Sequence, residues 1–242
     1  MKKSKISGII AIICAIAISA VFGPEALEYI DLADSTVLGS GEEVSFDIYD
    51  GLPEYEGEPS VEINGNMPYF QENDLELGSF EKYSKLDSLG RCGVAFANVS
   101  RELMPTDERQ SISSVKPSGW HTASYPEVIK DRYLWNRCHL IAWCLAGENA
   151  NRRNLITGTR YMNVEGMLPV EEEVLDYVRK TGNHVLYRVT PFFEGNNLVA
   201  SGVLMEAYSV EDEGKGICKC VYCFNVQPGI IIDYETGESY LE

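Results

Sequence analysis

Basic residues are missing from a long stretch of this chain. Residues 24–81 contain 16 Asp or Glu and no Lys or Arg, and they carry much of the net charge of −17. Such a segment is unsuited to binding a polyanion. Glycine and proline interrupt it, so we interpret residues 24–80 as an acidic N-terminal arm with few regular elements. The arm is either a solvated linker or a flap over a basic groove.

Long apolar runs are also scarce. Only residues 6–22 form an uncharged apolar run long enough to cross a membrane, and they follow Lys2, Lys3 and Lys5. This pattern is typical of a signal peptide, although an uncleaved anchor has a similar length. We therefore predict that residues 1–23 direct export, and that the protein is secreted or is anchored by this segment. A protein with several membrane spans is excluded.

Ligands for a structural metal are few. The chain has three histidines and 7 cysteines. Cys218, Cys220 and Cys223 are clustered, but no Cys or His pair lies nearby to complete the four ligands of a structural zinc site. This argues against a zinc hydrolase built on these cysteines. Export would favour disulfides, whose pairing the sequence does not determine.

From residue 81 to residue 242 the pattern becomes that of a folded domain. Alternating apolar residues predict a strand at 92–99, and β-branched and aromatic runs predict strands at 184–193, 198–208 and 221–226. Pro169 in a first turn, apolar residues at helical spacing and Gly182 beyond the last turn predict a helix over 169–181. We therefore expect an α+β domain with a central antiparallel sheet and flanking helices.

Basic residues return in the middle of the chain. Residues 101–163 contain nine Lys or Arg against six Asp or Glu. Arg109, Lys116 and Arg160 in this region are candidate substrate contacts, because cationic side chains bind phosphate oxygens. Arg109 and Arg160 could instead be solvated surface charges. Trp120 and His121, which follow Lys116, could track a nucleic-acid backbone or stack a base, and Trp120 could instead lie in the core.

One histidine has polar neighbours that suggest chemistry. His139 follows Asn136, Arg137 and Cys138 and precedes two apolar residues, so a strand end or hairpin would present Arg137 and His139 together. A lone histidine is more often structural. Further polar residues follow among apolar ones: Asn154, Asn163 and Glu171.

This run, residues 136–173, resembles the DNA/RNA non-specific endonucleases of the ββα-metal, or His-Me finger, fold. Their signature is Asp-Arg-Gly-His, then Asn, then Glu. The similarity covers about residues 86–237, and it is strongest to the secreted streptococcal-type DNases. Asn136 stands where the signature has Asp, and Cys138 where it has Gly. Cys138 cannot adopt glycine-only backbone angles, and a disulfide with Cys92 is one alternative for it.

The resemblance implies a role for each matching residue. His139 matches the general base that takes a proton from the attacking water, and Asn163 matches the side chain that binds a divalent cation directly. Glu171 matches an acidic residue that orients metal-bound waters, or it complements a helix dipole. Asn154 would fix the catalytic loop or a water, and Arg137 would hold the scissile phosphate. The implied cofactor is Mg²⁺, for which Mn²⁺ can substitute.

The implied activity is that of an exported, Mg²⁺-dependent endonuclease. It would hydrolyse internal phosphodiester bonds of DNA or RNA with little sequence preference and leave 5′-phosphate and 3′-hydroxyl ends. A catalytically inactive nucleic-acid-binding or DNA-uptake protein is the alternative from another class, and a delivered toxin nuclease is a third. The complete set of His139, Asn163 and Glu171 argues against the inactive protein. No protein partner can be inferred.

Overall fold

The computed structural model describes residues 51–75 and 78–242, so the predicted export segment lies outside the described residues. The strands, in chain order, are β1 (Ser60–Glu62), β2 (Phe80–Tyr83), β3 (Ala95–Val99), β4 (Trp135–His139), β5 (Leu155–Thr159), β6 (Val185–Phe192), β7 (Gly202–Ser209), β8 (Cys218–Phe224), β9 (Ile230–Ile232) and β10 (Ser239–Leu241). The α-helices are α1 (Trp143–Ala146) and α2 (Leu168–Thr181), and a π-helical turn (Met162–Met167) leads into α2.

Six strands form the main sheet, in the order β1-β8-β7-β6-β3-β2. Every neighbouring pair is antiparallel. The strands predicted at 92–99, 184–193, 198–208 and 221–226 correspond to β3, β6, β7 and β8, and the predicted α+β class with a central antiparallel sheet is confirmed. The short strands β1 and β2 were not predicted.

Helix α2 lies on one face of this sheet. Pro169 occupies its first turn, and it ends at Gly182, whose φ is 79° and whose N–H donates to the Val178 carbonyl. Val174 and Val178 are buried in the same core as Tyr187 from β6. The helix predicted over 169–181 is therefore confirmed. No helix in the described part of the chain is long and apolar enough to cross a membrane.

Residues 51–75 belong to the part of the molecule on the opposite side of the main sheet from helix α2. Strand β1 pairs with β8, so the main sheet includes residues before the boundary predicted at residue 81. The Tyr69 N–H donates to Glu206 Oε1 at 2.8 Å, and Arg188 Nη2 donates to the Tyr69 carbonyl at 3.2 Å. Arg188 and Glu206 form a buried ion pair, which needs such additional hydrogen bonds to offset its desolvation.

Candidate active site

The candidate site is built on a hairpin and a helix. Strands β4 and β5 pair antiparallel, from Trp135 opposite Thr159 to His139 opposite Leu155, and the chain then enters the π-helical turn and α2. This arrangement is a ββα unit. A cleft of about 740 Å³ lies beside it. Six of the eight residues predicted from the sequence line this cleft: Arg109, Arg137, His139, Arg160, Asn163 and Glu171.

His139 is oriented by a backbone carbonyl. It is the last residue of β4 and is 7% exposed, with Nε2 2.9 Å from the Asn149 carbonyl oxygen. A carbonyl only accepts hydrogen bonds, so Nε2 carries the proton of the neutral ring and Nδ1 retains the lone pair. Burial lowers the pKa of His139 below 6.5, and the nearby Arg109 lowers it further. The imidazole is therefore a neutral base at physiological pH.

The π-helical turn brings Asn163 and Glu171 to the same cleft. The Leu168 N–H donates to the Asn163 carbonyl, five residues back rather than four. In a regular α-helix, residues eight apart point about 80° away from each other. The wider turn rotates less per residue and reduces this difference, and both side chains line the cleft.

Glu171 is a half-buried carboxyl group in the first turn of α2. Burial raises its pKa to about 8, an effect that Arg109 opposes and Glu172 reinforces. A cation in the cleft would favour the carboxylate.

The donor set of the cleft fits a hard divalent cation. Asn163 and Glu171 offer oxygen atoms, and the described residues contain no group of three or more His, Cys, Asp or Glu able to hold a metal. A cation here would take most of its ligands from water and phosphate, as Mg²⁺ does. Cys220 and Cys223 on β8 are three residues apart, so they face opposite sides of the sheet and cannot share one ion.

The three cleft arginines differ in their contacts. Arg137 donates to the carbonyls of Val115 at 2.5 Å and Ser113 at 3.0 Å, and its guanidinium lies 3.9 Å from the ring centroid of Trp120. Much of its hydrogen-bonding capacity therefore holds the segment before β4. Arg160 forms an ion pair with Asp131. Arg109 is exposed, and its charge lowers the pKa of both His139 and Glu171.

Two predicted site residues lie outside the cleft lining. Asn154 is fully buried: its Oδ1 accepts from the Ile141 N–H at 2.8 Å, and its Nδ2 donates to the Ile141 carbonyl at 2.9 Å. It holds the chain that follows His139, which agrees with the loop-fixing alternative rather than with a catalytic contact. Lys116 is exposed and does not line the cleft, so the structure does not support it as a substrate contact there.

Asn149 is a site residue that the sequence analysis missed. Its carbonyl accepts from His139, and its Oδ1 accepts from the Gln110 N–H at 2.9 Å. It thus connects the candidate base with the segment that carries Arg109. The contact to His139 uses a backbone atom, so no side-chain pattern could have indicated it.

Cys138 stands where the family signature has glycine, and a glycine on the neighbouring strand makes room for its side chain. A β-carbon at Gly158 would lie 2.4 Å from Cys138 Sγ, so the glycine on β5 provides the room that the thiol needs. Cys138 is not among the residues with positive φ, so no glycine-only conformation is required there. Cys92 and Cys138 are both free thiols, and the alternative of a disulfide between them is not realised.

Comparison with known proteins identifies the family. The family model described as DNA/RNA non-specific endonuclease matches residues 72–211. The chain belongs to this family. NucA from Streptococcus agalactiae, solved without metal and with magnesium, is 26% identical, with 75% of this chain and 86% of that chain covered and a TM-score of 0.66.

The structure of Sda1 nuclease with bound zinc is also similar to this endonuclease. It is 30% identical, with 67% of this chain and 81% of that chain covered and a TM-score of 0.57. No curated protein sequence matches the chain. The protein is therefore an endonuclease of the ββα-metal fold that acts on DNA or RNA.

Proposed function

We propose that this endonuclease is an exported, Mg²⁺-dependent enzyme. It hydrolyses internal phosphodiester bonds of DNA, with RNA as a second substrate, and leaves 5′-phosphate and 3′-hydroxyl ends. The observation that carries the proposal is the geometry of His139, whose Nε2–H is engaged by Asn149 while Nδ1 keeps its lone pair in a ring that lines the cleft with Asn163. The basic start and apolar run of residues 1–23 support export.

His139 acts as the general base. Its Nδ1 takes a proton from a water molecule, the water oxygen bonds to phosphorus, and the bond from phosphorus to the 3′ oxygen breaks. The departing 3′ oxygen is protonated by water. The Asn149 carbonyl stabilises the imidazolium that forms, because its hydrogen bond strengthens when the ring becomes charged. Arg109 and Arg137 bind the phosphate oxygens.

Asn163 would hold the divalent cation through its amide oxygen, and Glu171 would bind it through water. When bound, the cation supplies positive charge that stabilises the charge developing on the phosphate and on the leaving oxygen. NucA has been solved with magnesium and Sda1 with zinc, which supports a divalent cation in this chain as well. We expect Mn²⁺ to substitute for Mg²⁺.

The test is cleavage of circular plasmid DNA by the chain from residue 24 onward, with Mg²⁺ or with EDTA. Circular DNA has no ends, so only an endonuclease acts on it. The wild type is expected to nick and linearise the plasmid only with metal, and His139→Ala is expected to be about 10² to 10⁴ fold slower while still binding DNA. His184→Ala removes an imidazole that does not line the cleft, and it should cut normally.

Two outcomes would overturn the proposal. Unchanged cleavage by His139→Ala would remove the assigned base. If neither the wild type nor the variant cuts while both bind DNA, the inactive nucleic-acid-binding protein replaces the enzyme.

A further inference from the structure

We propose that Tyr133 is a stacking platform for an unpaired nucleobase, so that the cleft grips single-stranded nucleic acid beside the scissile phosphate. The inference rests on the proposed function and adds a base-binding subsite to the same cleft. It is carried by the exposure of the ring, by the backbone that presents it and by the charges around it.

Tyr133 is the most exposed of the tyrosine and tryptophan side chains that line the cleft. It is 50% exposed, whereas Trp135 is 5% exposed, and Trp120 and Trp143 are partly buried. The guanidinium of Arg137 already lies over the ring of Trp120. Tyr133 thus offers exposed ring surface in a cleft that also presents the charged side chains of Arg109, Arg160 and Glu171. Such a surface is suited to a nucleobase, whose face is also aromatic.

The backbone adopts an uncommon conformation to present this ring. Arg132, the preceding residue, has φ of 64°, a left-handed conformation that is rare outside glycine. The Tyr133 N–H closes a tight turn to the Asp131 carbonyl at 2.8 Å, and Tyr133 forms a bridge with Ser124. Buried Ile129 anchors the same segment in a small core. Conformations of this kind persist where the surrounding structure enforces them, and they cluster at ligand sites.

The basic side chains near the Tyr133 ring are suited to the phosphates that adjoin a stacked base. The guanidinium of Arg132 lies 5.8 Å from the ring centroid of Tyr133, over one face. A base stacked on this ring would therefore lie near Arg132, whose cationic side chain would meet an adjacent phosphate. Asp131 would repel those phosphates, but it is paired with Arg160. Bases in a duplex are already stacked and paired, so the ring favours a single strand.

The test measures binding without cleavage. The full chain carrying His139→Ala is titrated in EDTA with a labelled single-stranded oligothymidine and with a blunt-ended two-stranded duplex of the same length, and anisotropy is recorded. Adding Tyr133→Ala is expected to weaken oligothymidine binding about tenfold and to leave the duplex unchanged. Tyr133→Phe should bind like the parent and Tyr133→Leu like Tyr133→Ala. If Tyr133→Leu binds like the parent, or if the duplex loses as much as the single strand, the proposal is overturned.

An abasic oligonucleotide tests the contact itself. Replacing all bases of the oligothymidine by abasic nucleotides should weaken binding by the parent, and should weaken it much less once Tyr133→Ala is present. Equal losses in both proteins would contradict stacking at Tyr133. Because these readouts need no cleavage, an inactive wild type that still shows the Tyr133 effect refutes only the proposed function. An active wild type without the effect refutes only this inference.

Discussion

The two walls of the cleft are constructed differently. The hairpin–helix wall, formed by β4, β5, the π-helical turn and α2, carries His139 and Asn163 on regular elements with paired backbone groups. The long connection, residues 100–134, carries Arg109 and Tyr133 on turns held by scattered hydrogen bonds such as that from Thr157 Oγ1 to the Ser118 carbonyl. The proposed base and the proposed metal ligand thus lie on regular elements, whereas the proposed contacts of Arg109 and Tyr133 lie on irregular segments.

The largest effect is expected on the hairpin–helix wall. Asn163→Ala should lower metal-dependent turnover by at least about 10² fold, because the cation would lose its proposed protein ligand and metal stabilisation is worth several kcal/mol. Asn163→Asp keeps an oxygen ligand and should retain activity at a shifted Mg²⁺ concentration. Turnover is measured against Mg²⁺ concentration, and an unchanged curve for Asn163→Ala would remove Asn163 as the ligand.

Asn154→Ala is the matched control for that variant. It leaves two backbone groups of Ile141 without their partners, so we expect the free energy of unfolding to fall by about 2 kcal/mol. Activity per folded molecule should fall less than in Asn163→Ala. Urea unfolding and turnover of the folded fraction separate the two effects.

The pH dependence should reveal His139 as the base. A protonated imidazole cannot accept a proton, so kcat/KM at saturating Mg²⁺ should fall about tenfold per pH unit below the pKa of His139. Burial lowers the pKa of His139, so the fall should begin at a lower pH than it would for a solvent-exposed imidazole. Arg109→Ala removes a charge that lowers this pKa, and it should move the fall to higher pH. The same profile in both proteins would contradict the coupling between the two walls.

A smaller effect is expected where the walls meet. Asn149→Ala keeps the carbonyl that orients His139 but loses the acceptor for the Gln110 N–H. One such hydrogen bond is worth about 0.5–1.5 kcal/mol, so kcat/KM should fall by up to roughly tenfold. Asn151→Ala, in the same loop, loses only an acceptor for the nearby Arg153 N–H and should change little. Equal effects of the two variants would argue against the connecting role of Asn149.

The smallest effect is expected from a comparison of two basic side chains on the long connection, Arg109 and Lys116. Arg109 lines the cleft and Lys116 does not. In binding assays with EDTA, Arg109→Ala should reduce the slope of log affinity against log salt concentration by about one, as expected for one lost phosphate contact. Lys116→Ala should leave the slope unchanged. A larger loss for Lys116→Ala would mean that nucleic acid extends beyond the cleft.

The elements predicted correctly depend on local signals. Proline in the first turn, apolar residues at helical spacing and Gly182 after the last turn are sufficient for α2, and β-branched runs are sufficient for β6 and β7. The pairing of β1 with β8 joins residues about 160 positions apart in the sequence. No local pattern contains that information, which explains why residues 51–75 were interpreted as an arm.

The sequence by itself determined the family and the side chains available for the reaction. The motif of His139, Asn163 and Glu171 at this spacing contains the residue types that such a reaction needs. Only the tertiary structure decided which ring nitrogen of His139 carries the proton, that Asn154 bonds to the backbone of Ile141, that the Asn149 carbonyl contacts His139 and that Tyr133 lines the cleft. The physical reason is that hydrogen bonds to backbone atoms and the exposure of a ring depend on segments that are distant in the chain.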